Sequence, residues 1–502
     1  MEMDLFCSLQ SFLLFSPIIL YCYYLFNFHR KHNVNNHGFR IYPLLGALPD
    51  FLRNRHRFLD WTTGILRRCP TNTAVFRRPG KVHGVITANP LNVEYVLKTN
   101  FENYPKGERF IWILKDFLGK GIFNSDGELW KIQRKTASYE FNTRSLRNFI
   151  MDSVSFEIST RLIPLLNRAS ETNQVLDLQD ILEQFAFDNI CKLAFNVDPG
   201  CLGGNGNGSH FMRAFEEAAT LSSGRFMYAF PFLWKFCKIL NIGLEKNLKK
   251  SIEIVHEFAD DIIETRLRSK DETKDEDLLS RFIRNDDNSP QFLRDIIISF
   301  ILAGRDTTSS ALSWFFWLLS RNPNVERNIL NELETIRTRN GKTIGDAYTF
   351  DELRDMHYLH ASISESMRLY PPVPVDTKAC LNDDILPDGT FIAKGWFFTY
   401  HTYAMGRMEA IWGKNCEEYF PERWLDENGK YKQENPFRFP IFHGGPRMCL
   451  GKDMAYIQMK SIVAAVIERF GVEVLGKDKS PPHLLSLTLR MKGGLPVRVR
   501  GR

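Results

Sequence analysis

Apolar residues recur at helical spacing through most of this chain. The pattern is clearest in VLDLQDILEQFAFDNICKLAF (residues 175–195), SIEIVHEFADDIIETRL (251–267) and MAYIQMKSIVAAVIERF (454–470). Alternating, strand-like stretches such as TAVFRR (73–78) and HGVITA (83–88) are short and few. Three to four residues per repeat indicates amphipathic helix, and alternation indicates strand, so the pattern predicts a mainly α protein with small β-sheets. No repeat of fixed period and no shift of composition divides residues 50–502, which we interpret as one large domain.

The N-terminus has a different pattern. Residues 5–28 carry no charged side chain, a length that suits a helix crossing a hydrocarbon core of about 30 Å. Arg30 and Lys31 follow this stretch, so we expect a single-pass anchor with the body of the protein on the cytosolic side. No small-residue cleavage site is evident, which favours a retained anchor over a signal peptide. The predicted organisation is an anchor at residues 1–29, a linker and proline-containing hinge at 30–49, and the folded domain at 50–502.

Composition narrows the function classes. The net charge of +6 comes without a clustered basic motif, so we expect no nucleic-acid partner. The nine cysteines show no CxxC spacing and no small-domain disulfide framework, which fits reduced thiols facing the cytosol. The 40 phenylalanines indicate either a large aromatic core or a roomy apolar cavity, and composition does not separate the two.

One long apolar helix is predicted from Ser289, a suitable cap, to just before Pro323. Its middle places Gly304, Asp306 and Thr307 side by side, which suggests a widened turn where something binds. The alternative is a helix irregularity in which threonines bond back to preceding carbonyls and Asp306 is solvated. The residues alone leave both open.

Two further pairs lie at helical spacing. Glu365 and Arg368 are three residues apart on a helix with a capping-box start at Thr349, and apolar neighbours make burial of this pair plausible. Arg423, in PERW, could complete a buried network with Glu365. Trp130 and Arg134 are one helical turn apart and could bind an anionic group on a flat ligand. A packed Trp with a solvated surface Arg is the simpler interpretation.

The stretch FHGGPRMCLG (442–451) holds Cys449 among Gly444, Gly445 and Gly451. Glycines let backbone approach a ligand closely. The helix that follows would favour a thiolate through its N-terminal dipole. A buried core thiol is the alternative.

Together these motifs resemble the cytochrome P450 superfamily of haem-thiolate monooxygenases, over the whole length of the chain. The family's Phe-x-x-Gly-x-Arg-x-Cys-x-Gly motif is matched by Phe442, Gly445, Arg447, Cys449 and Gly451, and the other motifs occur in the family's order. The resemblance implies the P450 fold, haem b as cofactor, and Cys449 as the axial ligand of the haem iron. It also implies that Arg447, Arg134 and Trp130, joined by Lys378, bind the haem propionates. Asp306 and Thr307 would supply protons for oxygen activation, and Glu365, Arg368 and Arg423 would hold the haem-binding core.

By the same resemblance the protein is a monooxygenase that uses O₂ and two electrons. The electrons would come from a membrane-bound NADPH-dependent flavin reductase, so NADPH acts only indirectly. A basic face for that reductase would comprise Lys131, Arg134, Lys135, Arg144 and Arg147, with scattered solvated cations as the alternative. The expected location is the endoplasmic reticulum membrane. A haem-binding sensor or carrier is the non-enzyme alternative, and the intact Asp306–Thr307 pair weighs against it.

Several stretches, including EFNTRSLRNF and GPRMCLGKDMAYIQMK, resemble the plant branch that hydroxylates the terminal carbon of fatty acids. That branch also includes oxidases of jasmonoyl amino-acid conjugates and of sterol side chains, so these substrates stay open beside a fatty acid. Arg109 and Arg225 are candidates for a carboxylate anchor, and a neutral sterol becomes more attractive if neither points inward. By analogy with the family, the substrate pocket would be lined by Phe110, Trp112, Phe300, Ala303, Val373, Val375 and Leu487.

Overall fold

The computed structural model describes residues 38–80, 82–141, 144–204, 207–228, 230–268, 277–284 and 288–502, with Tyr21 and Tyr23. The α-helices of these residues are, in chain order, α1 (Leu48–Asn54), α2 (Phe58–Arg68), α3 (Pro90–Glu94), α4 (Glu108–Leu118), α5 (Gly127–Phe141), α6 (Arg144–Glu157), α7 (Ile163–Glu171), α8 (Leu178–Phe195), α9 (Asn207–Gly224), α10 (Pro231–Leu240), α11 (Gly243–Arg268), α12 (Leu278–Ile283), α13 (Pro290–Ile301), α14 (Thr307–Arg321), α15 (Pro323–Asn340), α16 (Phe350–Asp355), α17 (His357–Leu369), α18 (Thr402–Met405), α19 (Glu409–Trp412) and α20 (Lys452–Arg469).

The strands form four small sheets in this part of the chain. They are β1 (Thr73–Arg78), β2 (Val82–Thr87), β3 (Leu176–Asp177), β4 (Asp376–Ala379), β5 (Asp384–Ile385), β6 (Phe391–Ile392), β7 (Phe397–Tyr400), β8 (Phe470–Val474), β9 (His483–Leu485), β10 (Leu489–Met491) and β11 (Pro496–Gly501). The largest sheet has the order β1-β2-β7-β4, in which β2 and β7 are parallel and the other neighbours antiparallel. The others are β3-β11-β8, β9-β10 and β5-β6. The predicted class, mainly α with small sheets, is confirmed.

The predicted central helix runs without a break from Pro290 to Arg321. The Ser289 hydroxyl caps its start by accepting from the Phe292 amide at 3.2 Å. Between α13 and α14 the chain forms one π-helical turn, Leu302–Asp306, which is the widened turn expected from the sequence. A π turn adds a residue to the helix without ending it, and such turns are frequent at functional sites.

The described residues form two apolar cores. The larger core surrounds the central helix and includes α8, α17 and α20; the smaller core packs on the four-stranded sheet. Phe39 already belongs to the smaller core, where its ring lies 5.3 Å from that of Phe51. The folded part of the chain is therefore packed from Phe39 onward.

Within the described residues no helix is both long enough and apolar enough to cross a bilayer. The span predicted at residues 5–28 lies outside those residues, apart from Tyr21 and Tyr23.

Candidate active site

Cys449 is held by its own loop between a 3₁₀ turn, Gly445–Arg447, and the start of α20. The Cys449 amide donates to the Phe442 carbonyl at 2.8 Å, and the Met448 amide donates to the Gly445 carbonyl at 3.0 Å. Gly445 has a φ of +63°, and a Cβ there would overlap the Leu97 carbonyl oxygen. The expectation that this glycine serves approach to a ligand is therefore wrong, since what comes close to it is protein backbone.

The Cys449 side chain is accessible, yet burial is the largest cause acting on it and raises the pKa of its thiol. A side chain that faces a cavity inside the protein has accessible surface and is still surrounded by protein, which reconciles the two findings. The Gly451 amide, Arg134 and Lys452 act in the opposite direction, but they do not outweigh burial. The thiolate expected from the helix dipole is thus not favoured by the protein alone. A bound metal ion deprotonates a coordinating thiol directly.

Lys378 lies in a buried charged cluster on β4. Its Nζ donates to Asp376 Oδ2 at 2.9 Å, and Lys106 Nζ donates to Asp376 Oδ1 at 2.6 Å. His443 Nε2 lies 3.4 Å from the same carboxylate. Burial lowers the pKa of Lys378 to about 7, because the attraction of Asp376 does not outweigh burial together with repulsion by Lys106 and Arg447.

Arg447 and Arg134 continue this cluster towards Cys449. Arg447 Nη2 donates to Asp126 Oδ1 at 2.7 Å, and its guanidinium lies 4.3 Å from the centre of the Trp130 ring. Arg134, on α5 with Trp130, donates to the Met448 carbonyl beside Cys449. The structure therefore brings together the residues that the resemblance assigns to propionate binding, although they come from separate segments of the chain.

The charges of the cluster test whether haem fits. Four basic side chains face two carboxylates, and when Lys378 is protonated this leaves a surplus of two positive charges; the basic residues are Lys106, Arg134, Lys378 and Arg447, and the carboxylates are Asp126 and Asp376. The buried Arg447 Nε has no hydrogen-bond partner within the described residues. Buried cations of this kind need anionic partners. The two propionates of haem b match the surplus, so the residues fit the group. Sequence reasoning missed Lys106 and Asp376, because neither lies in a motif.

On the central helix, Asp306 is buried and not solvated. Arg305 Nη1 lies 3.0 Å from Asp306 Oδ1, and Arg305 Nη2 donates to Glu183 Oε2 at 3.2 Å. Burial raises the pKa of Asp306 despite the nearby Arg305 and Arg490. The Thr307 hydroxyl donates to the Ala303 carbonyl at 2.6 Å, as the alternative reading expected of a helix threonine. The solvated Asp306 of that reading is wrong.

Gly304, in the same turn, packs against α8. A Cβ at this position would lie 2.5 Å from Ile190 Cγ1. The sequence suggested that its lack of a side chain leaves room for a ligand. The structure assigns that lack to close packing of two helices instead.

Glu365, Arg368 and Arg423 form the expected buried network. Arg368 Nε and Nη2 donate to the two oxygens of Glu365 at 2.7 and 2.8 Å, and Arg423 Nε donates to Glu365 Oε1 at 2.9 Å. The Trp424 indole and the Phe420 amide donate to the same carboxylate at 2.9 and 3.0 Å. Burial alone would raise the pKa of Glu365, but the two arginines hold it below its ordinary value.

Three segments expected to line a substrate pocket meet beside the central helix. The Leu489 amide donates to the Pro372 carbonyl at 2.8 Å, and the Leu489 carbonyl accepts from Ser310 Oγ at 2.6 Å. This places the irregular segment that ends at Val375 and the turn holding Leu487 against the helix that carries Phe300 and Ala303. Phe300 is buried, Val375 and Leu487 are partly buried, and Val373 is exposed.

The two aromatic candidates on α4 face different neighbours. The Phe110 ring lies 5.4 Å from that of Phe226, whereas the Trp112 ring lies 4.3 Å from that of Trp234 on α10. Residues two apart on a helix point about 200° apart, which separates the two side chains. Trp112 is half exposed and packs on α10, so the structure does not bring it beside Phe110.

Arg225 does not serve as the carboxylate anchor considered above. It is buried, its Nη2 lies 2.6 Å from Glu245 and 2.8 Å from Asp116, and its Nη1 donates to the Ile113 carbonyl. Two carboxylates already neutralise it.

The face proposed for a reductase is described only in part. Lys131 and Lys135 are exposed on α5, whereas Arg134 turns inward to the Cys449 loop. The side chains of Arg144 and Arg147 lie outside the described part of the structure.

Comparison with known proteins agrees with this geometry. The family model for cytochrome P450 matches residues 39–495. The chain is 52% identical over 457 residues to cytochrome P450 CYP94D108 of Paris polyphylla, covering 91% of this chain and 90% of that relative. It is 46% identical over 472 residues to cytochrome P450 94A1 of Vicia sativa, covering 92% and 90%. It is 48% identical over 452 residues to cytochrome P450 94C1 of Arabidopsis thaliana, covering 88% and 89%.

Proposed function

This chain belongs to the cytochrome P450 family, and on that premise we propose that it hydroxylates the terminal carbon of a lipid chain, with a long-chain fatty acid as substrate. Members of the family are oxidoreductases that bind haem b and receive electrons from a redox partner. The bound haem supplies the activation of O₂, so that one oxygen atom enters a C–H bond and the other leaves as water. We assign Cys449 as its axial ligand and the cationic cluster around Asp126 and Asp376 as its propionate site.

The observation that carries the substrate class is the apolar character of the segments expected to line the pocket, one of which contacts the central helix through Leu489 and Ser310. Phe110, Phe300, Val375 and Leu487 all contribute aliphatic or aromatic surface to the larger core. An apolar lining suits an aliphatic chain, and the polar groups next to it belong to the central helix. A terminal C–H bond is stronger than its neighbours, so selectivity depends on how the chain is positioned.

The proposed reaction is tested on the full-length, haem-loaded protein with its reductase and NADPH. We expect a long-chain fatty acid to shift the ferric spectrum to high spin and to yield the terminal alcohol, identified by mass spectrometry. A hydroxylated sterol and a jasmonoyl amino-acid conjugate are titrated in parallel. A spectral response to the sterol alone would reassign the substrate as a sterol, and a response to the conjugate alone would reassign it as a jasmonoyl amino-acid conjugate.

Asp306 is proposed to hold and pass a proton to the reacting oxygen, with the Thr307 hydroxyl beside it. Burial raises the pKa of Asp306, which favours its protonated form, and positioned acids of this kind contribute about 10²–10⁴-fold to rate. We therefore expect Asp306→Asn to lower product formation by at least about 10²-fold while the haem content stays unchanged.

Asp295→Asn is the matched control, because Asp295 is a second buried acid on the same helix. It accepts from the Lys120 amide at 2.8 Å, and burial raises its pKa to about 6. An asparagine oxygen can still accept that bond, so turnover should be close to that of the unchanged protein. Equal turnover in Asp306→Asn and Asp295→Asn would refute the proton role.

We also propose a single-pass anchor at residues 1–29 in the endoplasmic reticulum membrane, followed by a linker and a cytosolic catalytic domain whose packed part begins at Phe39 and not, as expected, at residue 50. An exposed apolar face on α10 supports membrane contact, since Phe232, Phe236 and Ile239 are 62%, 58% and 81% exposed. Large exposed apolar patches mark interaction sites. The full-length chain should float with phospholipid vesicles in a density gradient, and recovery at the bottom with vesicles present would contradict the proposal.

A further inference from the structure

Arg78 is the last residue of β1, and its side chain is buried. Burial alternates at the end of this strand, so that Arg77 is exposed while Arg78 is only 5% exposed. Arg78 Nη2 donates to the Tyr228 carbonyl at 2.7 Å. The buried Nε has no hydrogen-bond partner, and no carboxylate pairs with this guanidinium within the described residues.

Arg78 differs in this respect from the other buried arginines. Each of the others pairs with a glutamate, in the pairs Arg225–Glu245, Arg305–Glu183, Arg337–Glu468 and Arg368–Glu365. The Tyr228 carbonyl and the Phe51 ring, 5.1 Å from the guanidinium, are neutral partners. A buried charge without an anionic partner is costly, because no opposite charge replaces its lost hydration. An anion from outside the described chain would supply Arg78 with the negative charge that the other four arginines receive from their glutamates.

A second guanidinium strengthens the positive field at this place. Arg109, on α4, lies 5.1 Å from the centre of the Phe397 ring in the same sheet. Burial, followed by the field of Arg109, lowers the pKa of Arg78 to about 10, a value at which the group is still charged near neutral pH. Two like charges held together in a partly dry environment favour binding of a carboxylate.

A continuous line of contacts connects Arg78 with the haem-binding cluster. Tyr228, which accepts from Arg78, follows the short turn that carries Phe226. The Phe226 ring contacts the Phe110 ring, and Lys106 Nζ lies 4.6 Å from the centre of the Phe110 ring. Arg78 thus lies at the outer end of an aromatic wall whose inner end is the propionate site.

We propose that Arg78, with Arg109 beside it, binds the carboxylate of an amphiphilic substrate at the outer end of the apolar pocket. This inference rests on the proposed lipid hydroxylation and specifies its substrate as a carboxylic acid. A charge-assisted hydrogen bond at a fixed point of the pocket sets how far the aliphatic chain reaches, and so which carbon meets the haem. A neutral sterol would gain nothing from this site.

The test compares a long-chain fatty acid with its methyl ester by spectral titration of the full-length ferric protein. The unchanged protein should bind the acid more tightly than the ester. In Arg78→Gln we expect the Kd for the acid to rise about tenfold or more, as for loss of a hydrogen bond to a charged group, while the Kd for the ester stays unchanged. In Arg78→Lys, which keeps the charge, part of the preference for the acid should return.

Arg77→Gln is the matched control, because it removes the same side chain one residue away on the exposed face of the strand. It should leave the acid-to-ester ratio unchanged. The ratio is measured within one sample, so a partly unfolded variant does not imitate the result. An Arg78→Gln protein that keeps the full preference for the acid overturns the proposal. An unchanged protein that binds both ligands equally also overturns it without touching the proposed hydroxylation, whereas binding of neither ligand overturns both.

Discussion

We expect replacement of Cys449 by serine to abolish the thiolate-type ferrous carbon monoxide spectrum and to reduce product formation below detection. A serine hydroxyl stays protonated where a metal-bound cysteine is a thiolate, so the electron donation that favours O–O cleavage is lost. The loop should persist, because the Cys449 amide still donates to Phe442 and Gly445 still fits against Leu97. The cations at Asp126 and Asp376 are separate from the sulfur, and we expect them to retain some haem.

Cys237→Ser provides the control, since Cys237 is a half-buried free cysteine on α10 far from this loop in the chain. Its spectrum and turnover should match those of the unchanged protein. The measurement is the carbon monoxide difference spectrum with total haem determined in the same sample. A thiolate spectrum that survives in Cys449→Ser would refute the assignment of the axial ligand.

The second large effect is expected for Arg368→Ala. Arg368 is fully buried. Besides its bonds to Glu365, its guanidinium donates hydrogen bonds to the carbonyls of Cys416 and Glu418, at 2.6 and 3.0 Å, and to that of Gly406. Breaking a buried ion pair by removing one partner costs about 3–5 kcal/mol. That is a large share of the roughly 5–15 kcal/mol by which proteins are stable. Soluble, haem-loaded protein should therefore fall to a small fraction of its normal yield, and the remainder should inactivate at lower temperature.

Arg354→Ala is a close control for this variant. Arg354 and Asp351 have the same i,i+3 spacing as Arg368 and Glu365, but both side chains are largely exposed. Exposed pairs contribute little to stability, so yield and thermal inactivation should hardly change. Equal stability of the two variants would show that burial of the Glu365 network does not hold the haem-binding core together.

The central helix illustrates what local sequence could predict. Its cap at Ser289 depends on neighbouring residues and was predicted correctly, whereas the sequence left a widened turn and a threonine irregularity open for its middle. The structure has the widened turn at Leu302–Asp306 and also the threonine bond of the alternative. The reason for a glycine at position 304 was not predicted. Ile190, which packs against Gly304, lies on another helix, more than a hundred positions earlier in the chain. The sequence identifies a residue without a side chain, but it does not identify what fills the space.

Arg225 and Arg78 illustrate the same limit for charge. Both are arginines in polar or alternating stretches, and the sequence offered Arg225, together with Arg109, as a candidate carboxylate anchor. In the folded protein, Arg225 forms ion pairs with Glu245 and Asp116. Arg78 is instead buried beside the Tyr228 carbonyl and a second arginine, Arg109. Whether a cation is available to a ligand depends on such partners, and these are distant in the chain.

The sequence by itself determined the family, the helical class, the loop that carries Cys449 and the pairing of Glu365 with Arg368. The family was identified from a resemblance of ordered motifs along the chain, and the local features follow from residues within one or two helical turns, where spacing fixes geometry. Only the tertiary structure decided that Lys106 and Lys378 share Asp376, that Asp306 is buried beside Arg305, and that no carboxylate of the described residues pairs with Arg78. Coulomb interactions depend on distance in space and on burial, and for residues far apart in the chain neither is known until the elements have packed.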